Sequence, residues 1–155
     1  MSRRVRRALV PLIAVLLAIG LAGPAGAATV VDVVDADRQQ GGYGVQVTVA
    51  VTCDPLGADS QAFVSVSLYQ GTYPRSNYIE GFGTFGEIGG ISLTCDGTAH
   101  SYSFTVLPTA SYANRTFRSG PARADALVTV CTLVAPETYH CEAAGSVTEQ
   151  IRIRP

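Results

Sequence analysis

Few residues of this chain could carry out acid–base or nucleophilic chemistry. Histidine is the only side chain whose ordinary pKa lies near neutrality, and the sequence contains two, His100 and His140. A Ser-His-Asp triad could be assembled from His100, Asp96 and one of several serines, but the sequence has no Gly-x-Ser-x-Gly nucleophile motif. We therefore predict a non-catalytic protein with no catalytic residue and no cofactor.

Two groups of residues have side chains of the kind that bind metals. One group could bind zinc through the side chains of Cys131, Cys141, His100 and His140. The spacing of the two cysteines does not match a zinc knuckle. The other group, near the start of the fold, could bind calcium through the carboxylates of Asp32, Asp35 and Asp37. They lack the glycine and the terminal glutamate of a calcium-binding hand loop, so we predict no metal site.

The most distinctive composition lies between Tyr69 and Gly90, which holds five of the twelve aromatic residues and six of the sixteen glycines. Aromatic side chains supply contact area at low entropic cost, and glycines let a loop adapt. One interpretation is a recognition surface, for which we predict the binding residues Tyr73, Tyr78, Phe82 and Phe85. The alternative interpretation is a core strand with glycine turns.

The first 27 residues have the order of an export signal. Four arginines lie among the first seven residues, a largely apolar run covers residues 8–22, and Ala25-Gly26-Ala27 forms a small-residue cleavage site. The apolar run is about 15 residues long, which is short for a membrane span. We predict a signal peptide at 1–27, a single domain at 28–155 without a stable membrane span, and a secreted or extracytoplasmic location.

The four cysteines all follow the predicted signal, and export places them in an oxidising compartment. We predict two disulfides, Cys53 to Cys95 and Cys131 to Cys141. The first would be a peripheral staple between strand ends. The second would close a short loop that contains Pro136.

The charge of the predicted mature chain excludes one class of partner. After Ala27, seven arginines remain against twelve acidic residues, a formal charge of −5. A mildly acidic product lacks the basic patch that binds nucleic acid. We therefore predict no nucleic-acid partner.

Alternation of apolar and polar residues predicts strands throughout the mature chain. The clearest covers Val45 to Cys53, and Asp96-Gly97 is typical of a hairpin turn between flanking strands. The other expected strands lie at 29–34, 62–68, 78–85, 91–95, 102–106, 122–130 and 147–153. Seven or eight short strands without a helical period predict an all-β fold, an antiparallel immunoglobulin-like β-sandwich.

Three sequence features resemble those of a known group of proteins. They are Cys53 at the end of a valine-rich strand, the run Cys95-Asp96-Gly97-Thr98-Ala99-His100, and the small-residue stretch from Ser119 to Ala124. Together they resemble small secreted actinobacterial immunoglobulin-like proteins of unknown function. This resemblance covers most of the mature chain and implies an exported immunoglobulin-like domain, without an activity.

The spacing of Cys131 and Cys141 also resembles that in the antitumour chromoprotein apoproteins of the neocarzinostatin type, which are small, acidic and exported. No binding residue is carried over from them.

Two functions follow from these observations. The first is an exported non-catalytic binding or cell-envelope surface module of unknown protein partner. The alternative is a carrier of a small apolar ligand in a sandwich cleft, loosely like the chromoprotein apoproteins. A concave pocket lined by the four predicted aromatic residues would favour the carrier, and a flat aromatic patch would favour the binding module.

We expect the mature protein to begin within two residues of Ala28, because the small-residue site ends at Ala27. The intact mass of secreted protein measures this directly. A main product that stays in the membrane with its N-terminal arginines would contradict the prediction.

Overall fold

The described residues form an all-β protein. The computed structural model describes residues 29–155, so the predicted export signal lies outside the described residues. Two short 3₁₀ turns, Gln40–Gly42 and Ala110–Tyr112, are the only helical segments in that range. No helix there has the length and apolarity needed to cross a membrane.

Seven antiparallel strands confirm the predicted strand number. Their bounds are β1 Thr29–Arg38, β2 Val45–Cys53, β3 Ser60–Gln70, β4 Ile79–Phe85, β5 Ala99–Pro108, β6 Gly120–Ala135 and β7 Thr138–Ile153. They lie in the order β1-β2-β5-β4-β3-β6-β7 in one sheet, whose two end strands approach each other. The sheet is therefore nearly closed into a barrel.

The core consists of the inward rows of these strands. Every second residue of β2 is fully buried, four valines followed by Cys53, and Val64 and Val66 of β3 are equally buried. The intervening residues, such as Gln46, face outward. Burial of each valine contributes about 1.5 kcal/mol or more, so this alternation determines which face of each strand is left for function.

The largest fully buried side chain, Phe117, lies outside the strands. Its ring packs against Gly81 of β4, where an added Cβ would lie only 2.6 Å from the ring. Its backbone N–H donates to the carbonyl of Gly42 at 2.8 Å. The segment between β5 and β6 is thus fastened to the end of the barrel.

The Cys53–Cys95 disulfide is confirmed, and it joins the end of β2 to a loop, as expected for a peripheral staple. The predicted strand at 91–95, and with it the hairpin, is wrong. Leu93 is buried, and its N–H donates to the carbonyl of Ala62 at 2.8 Å. A loop that docks alternate residues onto the core produces the same short pattern as a strand.

The Cys131–Cys141 disulfide is also confirmed. The two cysteines are directly opposite on β6 and β7, so the segment between them is a strand hairpin and not the expected loop. Its tight turn contains Pro136 and Glu137, and Glu137 has a φ of 61°. Both strands consequently extend beyond their predicted bounds.

The ends of the sheet meet at a seam between β1 and β7. Backbone hydrogen bonds join Arg38 N–H to the Arg154 carbonyl (3.0 Å) and Arg154 N–H to the Ala36 carbonyl (2.9 Å). The Arg154 guanidinium binds the carboxylates of Asp35 and Asp37. Arg154 thus pairs with two of the three carboxylates of the alternative calcium site.

A carboxyl pair lies farther along the seam. Burial, and then a hydrogen bond and charge repulsion from Asp32, raise the pKa of Glu149 above its usual range. The backbone N–H of Val33 partly offsets the shift by donating to the same side chain. Folding therefore shifts the equilibrium of Glu149 toward its protonated form, relative to the unfolded chain.

We expect loss of the Cys53–Cys95 bond to destabilise the protein more than loss of the Cys131–Cys141 bond. The closed loops span 42 and 10 residues, and loop entropy assigns them roughly 4 and 3 kcal/mol. The β6–β7 ladder also holds the second pair together without its sulfur bond. Urea unfolding of the two double Cys→Ala variants measures the difference, and an equal or larger loss from the second variant would contradict it.

We expect Glu149→Gln to raise the melting temperature at pH 7. A raised pKa in the folded state means that the stabilising contribution is present below the unfolded value and is lost as the pH rises. Glutamine keeps a hydrogen-bond donor toward Asp32 without needing a proton. The gain should disappear at pH 3, where the carboxyl is already protonated. Glu137→Gln, an equal charge change in an exposed turn, is the control for the loss of one negative charge at pH 7.

Candidate functional site

Strand register places three polar or aromatic side chains in a row on the outer face of the sheet. Tyr69 of β3 lies opposite Arg123 of β6, and Arg123 lies opposite Gln150 of β7. Their chain neighbours Leu68 and Ala124 are fully buried. Because successive side chains of a strand point to opposite faces, the row of three is outward.

The Arg123 side chain is fixed within this row. Its guanidinium lies 4.3 Å from the centre of the Tyr69 ring, in a cation–π contact. Its Nη2 also donates to Asp125 Oδ2 at 3.1 Å. Two directed contacts hold the planar guanidinium across the outer face of β3 and β6.

A chain of three tyrosine rings stands beside the row. The rings of Tyr73 and Tyr78 are 5.4 Å apart and nearly perpendicular, as are those of Tyr78 and Tyr112. Arg115 lies 5.2 Å from the Tyr112 ring and donates through Nη1 to the Tyr78 carbonyl. Burial, and then the negative charge of Glu80, raise the pKa of Tyr78, which keeps its hydroxyl a hydrogen-bond donor.

These residues border two adjoining surface grooves that share Gly71 and Pro121. We call the first the tyrosine groove. It has a volume of about 570 Å³, and its lining includes Tyr69, Tyr73, Tyr78, Arg123 and Gln150. We call the second the amide groove. It has a volume of about 460 Å³, and its lining includes Gln70, Asn77, Asn114, Arg115, Arg118 and Ser119.

Gln70 fixes the wall of the amide groove. Its side-chain oxygen accepts from the Arg118 backbone N–H at 2.8 Å, and its side-chain nitrogen donates to the Arg118 carbonyl at 2.7 Å. This double contact joins the end of β3 to the segment before β6. The Arg118 side chain projects from a backbone that is held at both polar groups.

The structure separates the four predicted binding residues. Tyr73, which is 71% exposed, and Tyr78 both line the tyrosine groove. Phe82 is 50% exposed and lies on the outer face of β4, opposite Ser67 of the next strand and outside both grooves. Phe85 points inward and packs against Tyr102, with ring centres 4.7 Å apart.

The glycines of the aromatic segment serve packing and turns. Gly81 and Gly83 are buried inward positions of β4, where an added Cβ would lie 2.6 Å from Phe117 and from the Thr105 carbonyl, respectively. Gly86 and Gly89 have positive φ angles. The core-strand interpretation therefore holds for β4, and the recognition surface stays a prediction that rests on the exposed Tyr73.

Sequence reasoning missed most of the groove. Arg115, Arg118, Arg123 and Gln150 come from segments distant from the aromatic one, and only strand register and loop packing bring them to the grooves. The available signal was the alternation of β6, which places Arg123 on the outward face.

The two histidines lie away from these grooves. Asp96 Oδ1 accepts from Thr98 and lies 3.0 Å from His100 Nε2, and the Thr98 hydroxyl lies 3.1 Å from the same nitrogen. The bonds to Thr98, and then that to His100, lower the pKa of Asp96 to about 2. A catalytic triad needs its acid and its nucleophile on opposite ring nitrogens, so this cluster has the geometry of a turn and not of a relay.

The structure overturns the zinc alternative, because Cys131 and Cys141 are bonded to each other. His140 instead lies 2.8 Å from Glu142 on the exposed face of β7. Within residues 29–155, no group of three or more metal-ligating side chains converges.

We compared the chain with family models, with curated proteins and with solved structures, and none of the three comparisons gave a match.

Proposed function

We propose that this chain is an exported, non-catalytic binding module and that the tyrosine groove is its contact surface. The observation that carries the proposal is the position of Tyr73. Its ring is 71% exposed at the mouth of a groove that it shares with Tyr78. Large aromatic side chains held at a groove by ring contacts are the type of residue that dominates binding energy.

The strand order supports an immunoglobulin-like domain. The neighbours β1-β2-β5 and β3-β6-β7 have the order of strands A-B-E and C-F-G in such domains, with β4 between the two groups. Only two residue pairs, Gly81 with Pro108 and Phe82 with Leu107, join β4 to β5. Such a narrow junction is where a single sheet would divide into the two layers of a sandwich.

Export is supported by the disulfides. Both bonds indicate an oxidising environment for the folded chain. The order of basic, apolar and small residues in positions 1–27 supplies the route. The mature chain would then act outside the cytoplasm, at the envelope or in the medium.

A binding module is favoured over a carrier of an apolar ligand. The four aromatic residues predicted to line an apolar cleft do not converge, because Phe82 and Phe85 lie on opposite faces of β4. Arg123 and Gln150 contribute polar groups to the tyrosine groove, and arginine, asparagine and glutamine side chains line the amide groove. An apolar ligand would displace water from these polar groups and could not replace the hydrogen bonds that they make to water, which costs free energy.

We expect Tyr73→Ala to weaken capture of the natural partner about tenfold or more, because an interface aromatic typically contributes about 2 kcal/mol. The mature protein would be immobilised and exposed to culture medium and envelope extract of the producing cells, and retained material would be quantified for each variant. Phe82→Ser, which also removes an exposed aromatic ring but outside the grooves, is the matched control. A double His100→Ala and His140→Ala variant should bind like the wild type.

Thermal unfolding of each variant must first show an intact fold. Equal capture by all folded variants would exclude the tyrosine groove as the contact surface. Loss of capture in the histidine variant alone would move the contact surface to the histidines, and loss of an activity in that variant, with its fold intact, would reverse the assignment of a non-catalytic function.

A further inference from the structure

The two grooves concentrate positive charge on an acidic protein. Three of the seven arginines in the described range, Arg115, Arg118 and Arg123, contribute to their lining, and no aspartate or glutamate does. Residues 29–155 carry twelve acidic side chains and have a negative net charge. Because none of these acidic side chains lines either groove, the charge of the linings is opposite to that of the whole domain. Such a site attracts an anionic ligand.

The three arginines differ in the contacts that they already make. Arg123 is paired with Asp125, and Arg115 donates to the Tyr78 carbonyl. The Arg118 backbone is fixed by Gln70, while among the described residues no carboxylate forms an ion pair with its exposed guanidinium. Arg118 is therefore the cation that remains available to a bound carboxylate. An arginine can donate two parallel hydrogen bonds to one carboxylate, which adds both affinity and specificity.

The remaining lining suits a ligand with many hydroxyl groups. Asn77, Asn114 and Gln150 supply amide groups that both donate and accept hydrogen bonds. The exposed ring of Tyr73 supplies a flat apolar face beside them. A pyranose ring combines these properties, because its C–H groups pack on an aromatic face while its hydroxyls bond to planar amides.

A peptide fits the grooves less well than a saccharide does. Peptides commonly bind by adding a strand to an open sheet edge or by filling apolar pockets. The strands that form the floor, β3 and β6, are each paired on both sides, so their backbone groups are already used. The grooves therefore offer side-chain hydrogen bonds to a ligand, and no free strand edge.

We infer that the two adjoining grooves bind an acidic oligosaccharide, with one sugar ring packed on Tyr73 in the tyrosine groove and a carboxylate of the same oligosaccharide held by Arg118 in the amide groove. This inference rests on the proposed function and names the chemical class of the partner. The combined grooves, about 570 and 460 Å³, have room for several sugar units.

The test is calorimetric titration of the mature protein with three hexasaccharides that contain uronic acid: oligogalacturonate, oligoalginate and a hyaluronan fragment. At least one should bind, and its methyl ester, which keeps the ring but removes the charge, should bind about tenfold more weakly because a charge-assisted bidentate contact is lost. Added salt should weaken the acid form and leave the ester unaffected.

Matched variants separate the two contacts. Arg118→Gln should weaken the acid form about tenfold and leave the ester unchanged, whereas Tyr73→Ala should weaken both forms. Arg152→Gln on β7, an equal charge change outside both grooves, should bind like the wild type. Equal weakening by Arg118→Gln and Arg152→Gln would show a general charge effect and overturn the assigned contact.

Two further outcomes would overturn the inference. One is binding of hexaglutamate in place of the sugars, which would assign the grooves to acidic peptides. The other is failure of all three sugars to bind. If sugars fail while Tyr73→Ala still abolishes capture from the medium or envelope, the binding module stands and only the saccharide class is wrong. If capture also fails to depend on Tyr73, the proposed function itself is wrong.

Discussion

The packing of Phe117 against Gly81 is the contact on which the grooves depend. Phe117 is fully buried although it lies in a connecting segment, and Gly81 has no Cβ to obstruct its ring. Truncation of a buried phenylalanine costs about 3–5 kcal/mol, so this contact ranks with the largest single terms in the stability of the domain. It fixes the segment from which Arg115 and Arg118 project, and thereby fixes one wall of the amide groove.

The opposite wall depends on strand register. Tyr69, Arg123 and Gln150 are far apart in the chain, yet pairing of β3 with β6 and of β6 with β7 sets them side by side. A slip of one residue would move each of them to the core face, and the buried alanines and valines between them make such a slip costly. The same apolar rows that stabilise the fold therefore determine the composition of its outer surface.

Local patterns in the sequence were sufficient for the regular parts of this fold. The alternating valines gave β2 its observed bounds, and the cysteine pairing followed from strand ends and loop length. The same alternation also separates Phe82 from Phe85, since an odd spacing places them on opposite faces of β4. That signal was available in the sequence.

The amide groove could not be predicted in this way. Phe117 belongs to no periodic pattern, and nothing in the sequence indicates that it inserts above Gly81. The position of Phe117 depends on contacts between segments that are distant in the chain. The same is true of Leu93, whose loop has the alternating sequence pattern of a strand.

The seam between β1 and β7 has a consequence for how copies of this protein behave together. Between the described residues of the two strands, backbone hydrogen bonds cross it at the Arg154 end, and farther along the Val33 N–H donates to the Glu149 side chain. A side chain and not a paired strand thus covers this part of the edge, and uncovered sheet edges recruit other chains. Val30 and Val34 are exposed along β1, and Asp32 interrupts this apolar row with a charge. The neighbouring Glu149 loses its charge above the usual pH range of a carboxyl as the pH falls, because burial raises its pKa. Colloidal stability of the folded protein should therefore decline before the fold itself does.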